Sequence, residues 1–243
     1  MTTRREWLLG GLACAAGGLA LARLVRAAPA EPAPPALDGE QRRLAARLEL
    51  HRSYAKRTTN LLARYTSERV SSLLQEPLVN SGQLAFAVGD RLVLRDDGAT
   101  GSTTIVHAAD QRVELRPNDP SLPTRSPLGP GGAAPPALHW LAAHLLACFT
   151  PPPPPASPTD GGLLLADARS EAPKGAIPRL VILPKRGSPV RLVLRSVTLT
   201  LDPVGGGVQR IVIAEADGGE FRLGIVEPQQ NVEAEALARV LQG

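Results

Sequence analysis

The chain has 243 residues, a formal net charge of +4, 43% hydrophobic residues and only 3% aromatic ones. That is enough for one globular domain with a sizeable core, and a second domain is not required. Two cysteines in the whole sequence exclude a disulfide framework, and so few aromatics, with no basic stripe between them, speak against a nucleic-acid partner.

The first thirty residues read as an export signal. Arg4, Arg5 and Trp7 precede two leucines and the run GGLACAAGGLALARLV, whose apolar part is too short to cross a bilayer. Arg4-Arg5 followed by Trp7-Leu8-Leu9 resembles the twin-arginine signal pattern, with Trp where Phe is usual. Small residues at Ala28 and Ala30 suit cleavage after Ala30, with Ala27 as a rival, so a periplasmic location is expected. Removal of 1–30 takes away four arginines and one glutamate and leaves 23 basic and 22 acidic residues, so the excess of positive charge belongs mostly to the signal. Cys14 goes with it, and Cys148, in LLACF, reads as a small buried core residue.

Residues 31–37 form a Pro/Ala linker, and a single domain is expected over 38–243. From Asp38 the apolar residues Leu44, Leu48, Ala55, Leu61 and Leu62 recur near helical spacing, which predicts one helix over 39–63. Short β-type runs follow at 66–74, 82–88, 91–95, 103–107 and 111–115, separated by turn signals at Glu76-Pro77, Gly89-Asp90, Asp97-Gly98 and Ala109-Asp110. A Pro/Gly-rich connector at 117–136 leads to a short helix over 137–149 with Leu138, Leu141, Leu145 and Phe149 on one stripe, and the prolines 151–155 end it within a second connector, 150–161.

The second half returns to strands at 162–168, 178–184, 190–201, 207–215 and 219–227. VTLTL alternates as a half-buried strand does, whereas the opposite phase of 190–195 fits a bulged strand or a short helix. Gly205–Gly207 and Asp217-Gly218-Gly219 are hairpin turns, and Glu233–Leu241 is a closing helix. About ten strands in hairpin order give a mainly β, α+β fold: a wide antiparallel sheet that must curl, with helices covering one face.

Candidate chemistry is sparse. His139 and His144 are five apart, off a common helical face, and surface positions are expected for them; no metal site is expected. His107 near Asp110 has no recognisable serine setting, the glycines at 205–207 lack the residues of a phosphate loop, and Asp96-Asp97 fit a solvated turn. No catalytic set and no cofactor are expected.

The order of these features resembles the LolA-like family of lipoprotein carriers. It runs through Tyr65-Thr66-Ser67-Glu68-Arg69, Leu73-Leu74-Gln75-Glu76-Pro77-Leu78, Ser81-Gly82-Gln83-Leu84-Ala85-Phe86 and Asp90-Arg91-Leu92, then LVILPKRGSPV, VTLTLDPVGGGVQRIVIAEADGGEFRLGIVEPQQN and the late Asn231. The resemblance covers roughly 40–241. It implies a curled, incomplete antiparallel barrel with helices as a lid over a hydrophobic cavity that takes acyl chains of a lipoprotein, or another lipid, toward the outer membrane. Cavity positions it implies are Leu73, Leu84, Phe86, Leu92 and Leu94 in the first half and Leu199, Leu201, Ile211, Ile213, Phe221 and Leu223 in the second, with Trp140, Leu141 and Leu145 on the lid. Expected partners are the acyl chains, an inner-membrane donor and an outer-membrane acceptor, and a monomer is expected. Val93-Leu94-Arg95 departs from the family where a Trp is usual, and Val88 stands where the best-known carriers have a latch arginine. A different expectation on the same fold is a non-enzymatic envelope scaffold whose cavity is filled with side chains.

Overall fold

The computed structural model describes residues 39–71, 75–98, 100–124, 136–150, 168–171 and 179–241. The export signal, the linker and most of both connectors lie outside the described residues.

Helix α1 (Gly39–Arg57) leads into strands β1 (Asn60–Val70), β2 (Leu78–Ala87), β3 (Arg91–Asp96), β4 (Ser102–His107) and β5 (Val113–Pro117). Helix α2 (Pro136–Ala147) separates them from β6 (Ala168–Glu171), β7 (Arg179–Pro184), β8 (Leu194–Leu201), β9 (Val208–Glu215) and β10 (Glu220–Gln230), with α3 (Ala234–Leu241) last. All ten strands form one antiparallel sheet in the order β5-β4-β3-β2-β1-β10-β9-β8-β7-β6. Each half is a meander, and β1 pairing with β10 joins them, Tyr65 opposite Ile225.

The sheet curls but does not close, since β5 and β6 are its two edges. Helix α2 touches both β5 and the 3-10 helix Pro189–Leu192 that feeds β8. β5 and β8 stand seven steps apart in the strand order. On a flat sheet that is about 34 Å, while twelve helical residues span only about 18 Å. One short helix reaches both places because the sheet bends around it. This is the architecture that the sequence implied.

The boundary between α1 and β1 differs from the expected helix over 39–63. The helix ends at Arg57 and the chain is strand from Asn60, so the expected strand at 66–74 begins six residues earlier and ends at Val70. Leu61, Ala63, Tyr65 and Ser67 are buried at every second position, which only a strand can achieve. The helix stops because its end is capped from elsewhere. Asn231 donates its amide to the Arg57 carbonyl at 2.9 Å and accepts from the Thr59 backbone amide at 2.8 Å and hydroxyl at 2.9 Å. Smaller shifts occur too: β5 starts at Val113, β10 runs on to Gln230, and 190–195 resolves into the 3-10 helix followed by β8.

The helices do not all cover one face, as the sequence reading had it. Leu44 and Leu48 of α1 and most of α2 pack on the concave face, whereas Leu237 and Val240 of α3 pack with Ala85, Val93 and Ile105 in a separate cluster on the opposite face. Strands β2 and β3 are therefore buried on both sides there, which is why Leu84-Ala85-Phe86 and Leu92-Val93 are continuous apolar runs.

Candidate functional site: the concave apolar face

Alternation along the strands turns one set of side chains into the curl. Leu84 and Phe86 on β2, Leu92 on β3, Leu199 and Leu201 on β8, Ile211 and Ile213 on β9 and Leu223 on β10 are all buried in a single cluster. Leu94 and Phe221 are partly buried and packed against it. The cluster runs from Val113 on β5 to Ile182 on β7, so it spans the concave face almost from edge to edge. Thus every described residue expected at the cavity lies in or against one apolar surface. Leu73 lies outside the described residues.

Helix α2 sits on that surface. Among its described side chains only His139 is exposed, as expected of a largely apolar helix that is covered on most of its circumference. Trp140 and Leu146 belong to the cluster, as do Cys148 and Phe149 just beyond the helix, while Leu141 and Leu145 are partly buried against it. Phe149 meets Phe86 with ring centroids 5.5 Å apart.

His144 corrects the surface position expected for it. It is 1% exposed, stacked on Trp140 at 3.7 Å between centroids, with Nδ1 2.7 Å from the Trp140 carbonyl oxygen. The helix has no polar face to put it on, so the imidazole turns to its own backbone. The Trp140 indole N–H is buried with no hydrogen-bond partner among the described residues. Cys148 is buried as expected; its thiol donates to the His144 carbonyl, and burial pushes its pKa up to about 12, which removes it as a nucleophile.

Two polar groups on this face were not foreseen. His51 continues the buried stripe Leu44, Leu48, Ala55 of α1 at 0% exposure, with Nδ1 3.0 Å from the Gly206 carbonyl oxygen and Nε2 without a partner among the described residues. The helical spacing could have found it. Tyr65 buries its ring in the cluster and donates its hydroxyl to Asp96 at 2.7 Å; burial, and then that carboxylate, raise its pKa. Asp96 also accepts from the Ser102 amide and hydroxyl, so it is a structural acceptor rather than a solvated turn residue. Asp97 is exposed and pairs with Arg64 at 2.6 Å.

Elsewhere the candidates for chemistry dissolve into ion pairs. His107 Nε2 faces Glu114, not Asp110, at 3.4 Å, and Arg112 and Arg116 flank the same carboxylate. The Arg116 hydrogen bond is the main reason that the Glu114 pKa is lowered. No group of His, Cys, Asp and Glu among the described residues could hold a metal ion. Val88 is a half-exposed turn residue whose amide donates to the Thr59 carbonyl.

No family model matches the sequence, and no curated protein matches it. Solved structures do. A chain of the Pseudomonas aeruginosa MucA/MucB complex aligns with TM-score 0.40 and 10% identity over 80% of this chain, which spans 60% of that chain's length. A LolA superfamily protein from Nitrosomonas europaea aligns with TM-score 0.38 and 8% identity over 79% of this chain and 95% of its own. The Mycobacterium tuberculosis lipoprotein LppX gives TM-score 0.33 and 14% identity over 79% and 98%. At these levels the likeness transfers no residue role.

Proposed function

We propose that the protein is a periplasmic carrier that holds an acyl chain of a lipoprotein, or another lipid, between the concave sheet face and α2, and moves it from an inner-membrane donor to an outer-membrane acceptor. The observation that carries this reading is the single apolar surface from Val113 to Ile182 with a largely apolar helix seated on it. Each methylene of cargo transferred there gains about 0.8 kcal/mol, so binding needs no catalytic group. Cargo and α2 compete for one face. Loading is an exchange in which α2 moves aside and the acyl chain takes up the contacts that Trp140, Leu146 and Phe149 make in this state. The Trp140 N–H, which has no partner among the described residues, is a donor available to an ester or amide oxygen of the cargo.

A specific observation favours a second reading. Leu84, Phe86, Leu199 and Ile211 are 0% exposed, so side chains already fill this part of the interior. An envelope scaffold of the same fold would keep it so permanently.

Native mass spectrometry of the processed protein from its own periplasm, with extraction and analysis of lipids, separates the two. Near-stoichiometric bound lipid supports the carrier and identifies the cargo class. A clean apo mass with no uptake of a fluorescent fatty acid overturns it and leaves the scaffold.

A further inference from the structure

Between Glu171 and Asp202 the sequence carries six basic residues and no acidic one. Four of them, Lys185, Arg186, Arg191 and Arg195, fall on the turn from β7 through the 3-10 helix into β8, at one rim of the sheet, and all four are exposed. Arg191 donates Nε to the Pro184 carbonyl at 2.8 Å, and Arg195 donates to the Ala216 carbonyl at 3.4 Å. None of the four is ion-paired to a carboxylate among the described residues. Of the acids on the adjacent β9–β10 hairpin, Glu215 is paired with Arg69, whereas Asp217 accepts from the Gly219 amide and leaves one negative charge beside the four cations. Among the described residues this rim therefore presents a net positive charge, on a chain that without its signal is almost neutral.

The same turn also exposes apolar side chains. Leu192 is 82% exposed and Val193 52%, yet Val190, two residues earlier, is 3% exposed and part of the interior cluster. A lone exposed leucine needs no explanation. Two adjacent apolar side chains among four unpaired cations form a different object. The turn is also fixed in place, by Ser188 capping the 3-10 helix, by Pro189 at its start and by Val190 anchored inside. Apolar side chains that point outward, ringed by Lys and Arg, are the chemistry of a segment that lies in a membrane interface.

We propose that this turn docks the protein on an anionic phospholipid surface. Leu192 and Val193 enter the boundary between headgroups and acyl chains, while Lys185, Arg186, Arg191 and Arg195 meet lipid phosphates. An acidic protein surface would satisfy the cations but gives Leu192 nothing to enter, so the bilayer is the partner that uses both features. The 3-10 helix also touches α2. Docking therefore brings the helix that covers the concave face to the membrane, where a lipid would leave or enter; this consequence rests on the carrier reading, whereas the docking itself does not.

The test is flotation of the full processed protein with vesicles containing phosphatidylglycerol and with vesicles of phosphatidylcholine alone. Binding is expected to the anionic vesicles only and to weaken with salt. Replacing Lys185 and Arg186 together by Gln lowers the partition about twenty-five-fold, at about fivefold per cation. Leu192→Ser lowers it about tenfold. Both variants change exposed side chains, and an unchanged thermal midpoint verifies the fold. Tryptophan placed by Leu192→Trp is quenched by brominated acyl chains when vesicles are added. Absence of vesicle binding, equal binding to both vesicle types, indifference to these substitutions, or capture of the turn by an acidic envelope protein without vesicle binding each overturns the docking. Lipid in the native mass spectrum without vesicle binding sinks the docking alone, and vesicle binding without bound or acquired lipid sinks the carrier alone.

Discussion

Phe86 in the middle of the sheet and Phe149 just beyond α2 face each other at 5.5 Å between ring centroids, with their planes inclined by 34°. The pair ties the helix that covers the concave face to the strand that forms the face's floor. Truncating Phe86, which is fully buried, costs about 3–5 kcal/mol in urea unfolding. A cycle with Phe86→Ala, Phe149→Ala and the double variant is expected to give a coupling of about 0.5–1.5 kcal/mol. Zero coupling would mean that α2 is held by its other contacts alone. If α2 exchanges with cargo, Phe149→Ala also accelerates uptake of a fluorescent fatty acid.

Asn231 links the two ends of the domain, capping α1 from the residue that follows β10. Its φ of 55° is left-handed, a conformation that glycine accepts more readily than other residues. Asn231→Ala therefore loses the bonds to Arg57 and Thr59 and strains the backbone, while Asn231→Gly loses only the bonds. The expected losses are about 2–3 kcal/mol for Ala and about 1–2 for Gly in chemical denaturation. A glycine variant as stable as the parent would show that the conformation matters and the hydrogen bonds do not.

Gly206, at φ 81°, lies against the backbone of α1: a Cβ there would stand 2.6 Å from the Leu50 carbonyl oxygen and 2.7 Å from its carbon. Gly206→Ala must push the helix off the β8–β9 turn or distort that turn. A loss of about 2 kcal/mol or more is expected, with a lowered thermal midpoint. A neutral effect would mean that α1 is loosely seated on the sheet.

The strands and the inward-facing side chains were legible because period-two alternation survives in most of the β segments; Val197, Leu199 and Leu201 point inward and sit in one cluster with Leu84, Phe86 and Ile211. The start of β1 was not, since Leu61-Leu62 fits the apolar stripe of the preceding helix as well as a strand, and what ends the helix is an asparagine 174 positions away from Arg57. Burial of β2 and β3 on both faces was hidden for a related reason. A continuous apolar run does not reveal that a terminal helix covers the second side. The Tyr65–Asp96 bond is likewise set by the pairing of β1 with β2 and of β2 with β3, and neither residue alone announces it.

His51 gives the fold a dependence on pH. Burial holds its pKa below the ordinary histidine value, the opposing hydrogen bond to the Gly206 carbonyl being the smaller influence. The bond identifies Nδ1 as the donor of a neutral ring. In the unfolded chain this histidine titrates near 6.5. Below that pH the unfolded state binds a proton that the folded state refuses, so the contribution is intact above about pH 6.5 and is lost as pH falls toward the folded pKa, by at most about 1.4 kcal/mol per pH unit. Asp97, Glu114 and Asp119, whose pKa values are lowered, act only under more acidic conditions. Thermal midpoints measured between about pH 7 and 5 are therefore expected to fall in the parent and to change less in His51→Asn, whose amide can still donate to the Gly206 carbonyl. Equal slopes for the two proteins would remove His51 as the source.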